Sequence, residues 1–174
     1  MKTSEALSIF LVDDDQLFIT SLKDQVSKMF KFKTTIQTFA TGEECLKHFE
    51  HPPNIIILDY FLNSNYPDAM NGSQVLKKIL TKNPETKVIM LSAQDKIEIA
   101  VDLIKYGAYD YVIKNDTVFL RTKLVINNAA NAISVSKELK NYKSMVRIVL
   151  GIIIGVVIAS IAVQLFFPNL FTKG

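Results

Sequence analysis

Short runs of apolar, β-branched residues alternate with amphipathic runs over the first two thirds of the chain. Ser8–Val12, Thr34–Phe39, Asn54–Leu58, Lys87–Leu91 and Asp110–Ile113 read as strands. Between them Gln16–Met29, Gly42–Glu50, Gly72–Thr81 and Lys96–Tyr106 carry helical periodicity, and a last helix begins near Thr117. Ile55–Leu58 and Val88–Leu91 are apolar at every position, as strands are when helices cover both faces of a parallel sheet. Strand and helix alternating in this way predict an α/β fold, a doubly wound five-stranded parallel sheet. Such sheets bind their ligands outside the carboxyl ends of the strands, so chemistry is sought there.

The pattern changes beyond residue 125. Thr117–Met145 contains neither Pro nor Gly and predicts one long helix leaving the body. From Ile148 to Phe167 the chain carries no charge, and only Ser160 and Gln164 are polar. At about 1.5 Å per residue this stretch is about 30 Å long, the thickness of a bilayer core. A five-stranded sheet has no place for a helix apolar on all sides, so a transmembrane helix is expected. The predicted division is a body over 1–125, a helical stalk over 126–146, a span over 147–168 and a short tail over 169–174. Lys137, Lys140, Lys143 and Arg147 precede the span and only Lys173 follows it. The expectation is a single pass through the inner (cytoplasmic) membrane, body in the cytoplasm and C-terminus outside. The same basic stretch would attract anionic membrane lipid. Gly151, Gly155 and Ala159 recur every four residues and offer a small face on which a second copy could pack as a homodimer.

Charge narrows the functional classes. Of 20 basic and 17 acidic residues, five basic and one acidic lie in 126–174, leaving 15 and 16 in the body. The net positive charge therefore belongs to the tail, and a near-neutral body argues against nucleic acid as a partner. Cys45 is the only cysteine, which excludes an intramolecular disulfide and reads as a buried thiol. The apolar run Ile9–Val12 is too short for a signal peptide and ends in three aspartates.

The strand ends carry polar side chains. Asp13-Asp14-Asp15 follows the first strand, Asp59 the third, Ser92 the fourth and Lys114 the fifth. Each has an ordinary explanation alone: a helix cap, a turn residue or a surface charge. Their joint placement at one end of one sheet is what points to a site. Carboxylates brought together repel unless a cation lies between them, and oxygen-only ligands suit Mg²⁺. A carboxylate beside such an ion can attack a phosphoryl group, with Lys114 and the Ser92 hydroxyl orienting the phosphoryl oxygens.

The segments IFLVDDDQ (9–16), IIILDYFL (55–62), MNG (70–72), VIMLSA (88–93) and YGAYDYVIK (106–114) resemble the receiver domain of two-component response regulators. The resemblance covers residues 6–116. It implies that Asp59 is the phosphoacceptor, that Asp13 and Asp14 hold Mg²⁺ with the Phe61 backbone carbonyl, and that Lys114 is the family's lysine. It further implies that Ser92 and Tyr111 are the switch pair, and that a histidine kinase or histidine phosphotransfer protein is the donor. Asp15 falls outside the acidic pair and reads as the cap of the first helix.

Two features depart from the family pattern. Asn115 follows Lys114 where Pro is usual, and Gly72 lies farther from Asp59 than is common, with turn-like residues Asn63 to Asp68 in the gap. His48 and His51 fall on or after the second helix and read as ordinary surface residues rather than an internal donor. The expected function is a membrane-anchored, single-domain response regulator without an output domain that signals by binding a downstream protein. The alternatives are a phosphate sink and a Mg²⁺-dependent phosphatase of the haloacid dehalogenase type, for which Asp13-x-Asp15 is followed by the wrong residues.

Overall fold

The computed structural model describes residues 6–30, 34–62 and 68–166. Its elements run β1 (Leu7–Val12), α1 (Gln16–Ser27), β2 (Thr34–Phe39), α2 (Gly42–Lys47), β3 (Ile55–Asp59), α3 (Gly72–Lys82), β4 (Lys87–Ser92), α4 (Ile97–Lys105), β5 (Asp110–Ile113) and α5 (Val118–Phe166). All strands pair in parallel, in the order β2-β1-β3-β4-β5. This is the doubly wound sheet that the hydrophobic pattern predicts. The element ends differ by a few residues. The second helix stops at Lys47 rather than Glu50, because the His48 amide turns back to the Cys45 carbonyl and closes the last turn.

Burial follows from the pleat. Successive residues of β1 point to opposite faces, so Phe10 and Val12 pack on one side while Ile9 and Leu11 pack on the other. Phe10 and Val12 join Ile56, Leu58, Val88 and Met90 of the central strands in one core cluster. Val75, Leu76 and Ile79 of α3, Cys45 of α2 and Leu103 of α4 cover that cluster. On α5, Val118, Thr122, Val125, Ile126 and Ala129 are buried, a stripe at helical spacing. On α1 the buried stripe is Ile19, Leu22 and Val26.

The chain divides into two units, Met1–Ala132 and Ile133–Gly174. The first holds the sheet. In the second, residues 133–161 are helical and almost all of them are exposed. Exposed apolar side chains there include Ile152, Ile154, Val156 and Ile158.

One close backbone approach sets the geometry near the carboxyl end of β3. An ideal Cβ on Gly72 would lie 2.2 Å from the Asp59 carbonyl oxygen and 2.8 Å from the Tyr60 Cα. Both obstacles are backbone, so neither can swing away. The Gly72 amide also donates to the Tyr60 carbonyl at 2.9 Å, and the Tyr60 amide to the Leu91 carbonyl at 2.8 Å. Helix α3 is thereby pinned against the residue that ends β3. Gly72→Ala should lower stability by about 2 kcal/mol or more, the usual scale of overpacking a closed site. Urea denaturation would measure this, and an unchanged midpoint would show that the backbone can yield.

Candidate functional site

The sheet order reverses at β1, whose neighbours β2 and β3 lead the chain in opposite directions. A crevice opens outside the strand ends at such a point. Asp13 and Asp14 leave β1 there, and Asp59 ends β3 beside them. All three are buried, Asp13 to 2 % exposure and Asp59 to 3 %. Each offers a carboxylate oxygen within 4.8 Å of the others.

Lys114 comes from the end of β5 and reaches across to this cluster. Its Nζ lies 2.7 Å from Asp13 Oδ2 and 2.8 Å from Asp59 Oδ1. The first contact is a hydrogen bond; at Asp59 Oδ1 the ammonium is off the hydrogen-bond axis and the contact is an ion pair. The Lys114 amide donates to the Ser92 carbonyl at 2.7 Å, which fixes where the side chain departs. The Phe18 ring lies 4.6 Å from Nζ, giving the ammonium an aromatic face on one side.

Burial and the neighbouring charges both shift the acid strengths. Burial, and after it the Asp59 charge, push the Asp13 carboxyl up to about 6 despite Lys114. Asp59 is also held above the usual carboxylate range, chiefly by burial, with Lys114 pulling the other way. Burial works to lower Lys114, yet the charges of Asp59 and Asp13 outweigh it and leave the ammonium firmer than usual. Asp13 and Asp59 thus share the Lys114 ammonium, with the Asp14 carboxylate close by. An oxygen-only donor set of this kind suits a small hard cation. Acidic triads such as this are typical of the Mg²⁺ site of receiver domains, and these residues fit it.

Asp13, Asp14, Asp59, Phe61 and Lys114 line a common cavity of about 670 Å³ with Asp15, Gln16, Leu17 and Ala93. Asp15 is the N-cap of α1, its Oδ1 accepting from the amides of Leu17 at 2.9 Å and Phe18 at 3.0 Å. Its Oδ1 is thus taken up in capping the helix, as its place after the acidic pair predicts. Ser92 and Tyr111 do not line the cavity. The Ser92 hydroxyl is fully buried and accepts from the Gln94 amide at 3.1 Å. The half-buried Tyr111 donates its phenol to the Gln94 carbonyl. Both side chains thus close on one residue, by its two backbone atoms.

Asn115 occupies the proline position of the resemblance in its own way. No peptide among the described residues is cis. The Asn115 side chain accepts from the Thr117 amide at 3.0 Å and the Thr117 hydroxyl at 2.8 Å, and its carbonyl accepts from the Val118 amide at 2.9 Å. This turn starts α5. Residues 63–67 of the long loop lie outside the described residues. Beyond them the Met70 amide donates to Glu43 Oε1 at 2.7 Å, tying the loop's end to α2. His48 packs its ring 5.1 Å from that of Phe39 and does not line the cavity.

Phe18, Gly72 and Gln94 were not singled out by sequence reasoning as site residues. Phe18 looks like any apolar residue of an amphipathic helix, and Gln94 acts only through its backbone. Gly72 had a signal, since it stands in one of the resembling segments.

This arrangement of sheet, acidic cluster and lysine defines a signalling receiver module rather than a catalytic enzyme. Residues 9–125 match the response regulator receiver domain, and the chain belongs to that family. It is similar to the chemotaxis protein CheY of Listeria monocytogenes, 33% identical over 60% of this chain and 83% of that one. It also resembles the crystal structure of NtrX from Brucella abortus, with 26% identity and a TM-score of 0.68. That match covers 78% of this chain but only 29% of NtrX. A BeF3-activated DrrB receiver domain is 27% identical, with a TM-score of 0.58, over 70% of this chain and 98% of that one. Response regulators are phosphorylated by histidine kinases, and the acidic pocket is consistent with phosphoaspartate signalling.

Because Asp13 titrates near pH 6, a cation must compete with its proton below that value. Well above pH 6 the Asp13 carboxylate is ionised and its part in Mg²⁺ affinity should no longer change with pH. Below it, affinity should fall by up to about tenfold per pH unit for one displaced proton. Calorimetric titration between pH 7.5 and 5 would show the break near 6, and a constant affinity would contradict the assignment.

Proposed function

We propose that Asp59 accepts a phosphoryl group from the phosphohistidine of a histidine kinase or a histidine phosphotransfer protein. The observation that carries this is the place of Asp59, at the switch point of the sheet between Asp13, Asp14 and Lys114. An Asp59 carboxylate oxygen forms the new O–P bond while the N–P bond of the donor breaks, and the imidazole leaves with a proton from solvent. Lys114 already sits 2.8 Å from Asp59 Oδ1, so its ammonium can follow the charge onto the phosphoryl oxygens. Asp13 and Asp14, with the Phe61 carbonyl, would hold Mg²⁺, which would supply charge neutralisation of the phosphoryl group. The cavity that these residues line is open enough to admit a donor side chain.

Readout runs through Ser92 and Tyr111. To bond the phosphoryl group the Ser92 hydroxyl must leave the Gln94 amide, and Tyr111 is tied to the carbonyl of the same residue. A change at Ser92 is thereby felt at the β4–α4 loop and at the Tyr111 ring. The outcome is a shift between two states of the surface that α4, β5 and α5 present, read by a downstream protein.

The domain reading is a receiver over 1–125, a stalk over 126–146, a membrane span over 147–168 and a tail over 169–174. Among the described residues one helix is long and apolar enough to cross a membrane, and its apolar window is not buried. The basic residues before the span favour an orientation with the receiver on the cytoplasmic side.

Asp59→Asn should abolish labelling by acetyl phosphate while leaving the circular dichroism spectrum unchanged. Labelling of the variant at the original stoichiometry would defeat the acceptor assignment. For the anchor, the full chain should remain in the pellet after alkaline carbonate extraction of membranes, whereas a chain ending at residue 146 should be soluble. Equal solubility of the two would remove the membrane from the account.

A further inference from the structure

Within the second unit the exposed apolar residues before the span, Met145 apart, fall on one stripe. Val135, Leu139, Tyr142 and Val146 are 56%, 56%, 66% and 38% exposed, and they recur at intervals of four, three and four residues. The same spacing continues through Val149, Ile153 and Val156. At 100° per residue these seven positions fall within an arc of about 100° on the helix. Lys137, Lys140 and Arg147 occupy the opposite side. An alternating four-and-three repeat is the seam of a left-handed coiled coil, because it keeps one stripe facing a partner along the whole length.

The charges beside the seam say which partner and which direction. Glu138 lies on one flank and Lys143 on the other, five positions later. They are too far apart around the helix to pair within one chain. In a parallel, in-register pair of identical helices, this flank of one chain meets the opposite flank of the other, five residues on. Glu138 would then face the partner's Lys143, twice by symmetry. An antiparallel pair would bring like flanks together and lose both contacts.

We propose that residues 135–156 form a parallel, in-register coiled coil with a second copy of this chain, seamed by Val135, Leu139, Tyr142 and Val146. Glu138 of each copy sets the register against Lys143 of the other. The inference rests on the proposed membrane anchor only for the part beyond residue 147; the seam before it is independent. It also chooses between two faces. Gly151, Gly155 and Ala159 lie about 160–240° around from Val135, on the back of the helix. A straight pair seamed through Leu139 and Val146 therefore turns the glycines outward. An ideal Cβ on Gly151 or Gly155 meets nothing within 4 Å in the single chain, so neither glycine is required by its own fold.

Cysteine crosslinking in membranes that carry the full chain tests this, with buried Cys45 left in place. Under copper-phenanthroline oxidation, Leu139→Cys, Tyr142→Cys and Val146→Cys should give covalent dimers. Lys137→Cys, Lys140→Cys and Ser144→Cys should give about tenfold less, since they face away from the seam. Glu138→Lys should reduce dimer yield at Tyr142→Cys, and the double exchange Glu138→Lys with Lys143→Glu should restore it. Equal yields around the helix, no dimer anywhere, a maximum at Gly155→Cys, or failure of the double exchange would overturn the proposal. Fractionation of the same samples separates the two readings. A chain recovered in the soluble fraction defeats the anchor, whereas a membrane-bound chain without seam crosslinks defeats the coiled coil alone.

Discussion

Three carboxylates and one ammonium group share the carboxyl end of the sheet, and their imbalance governs the region around them. Lys114 touches Asp13 and Asp59 at 2.7 and 2.8 Å, and among the described residues it is the one basic side chain lining the cavity. Burying carboxylates this close together is unfavourable without compensating positive charge, so a further cation would be favoured here. Burial first, and the neighbouring carboxylates after it, hold the Asp13 and Asp59 carboxyls above the usual range despite Lys114. A hard cation beside these acids would neutralise them and, with Lys114, would offset the charge of an incoming phosphoryl group. This is the physical basis for reading the pocket as a phosphoryl-accepting site.

The scaffold meets this requirement by bringing far-separated strand ends together. Parallel pairing of β1 with β3 sets the acids of two strands side by side, and β5 delivers the lysine from two strands away. The glycine at position 72 lets α3 close against the backbone of Asp59 and Tyr60, which holds the acceptor in place. On the other side Ser92 and Tyr111 are both tied to the backbone of Gln94.

The sheet was legible in the sequence because its strands are buried on both faces and read as unbroken apolar runs. Ile55–Leu58 is the clearest case, every residue of it essentially inaccessible. Asp13, Asp14, Asp59 and Lys114 were legible as a site because each follows a strand of the same parallel sheet, so topology alone gathers them. The cap role of Asp15 was legible from its place before a helix. What could not be read were contacts made by backbone or by residues without distinctive chemistry. Gln94 uses only its amide and carbonyl, Phe18 supplies a ring face, and Asn115 builds a turn where the family pattern suggests proline. Helix ends were also blurred, since closure at His48 depends on one hydrogen bond that leaves no mark on hydrophobic periodicity.

In the proposed reading a receiver without a visible catalytic role gains meaning from what its charge change does to α5, which begins beside the site and continues into the second unit. All of this depends on Asp59 being the residue that takes the phosphoryl group. The most direct measurement is borohydride reduction of the full chain after reaction with a phosphoryl donor and Mg²⁺, followed by peptide mass spectrometry. An aspartyl phosphate is reduced to homoserine, so the account requires homoserine at position 59 and unmodified aspartate at 13, 14 and 15. Homoserine at any of those three instead, or at none of the four, would contradict it.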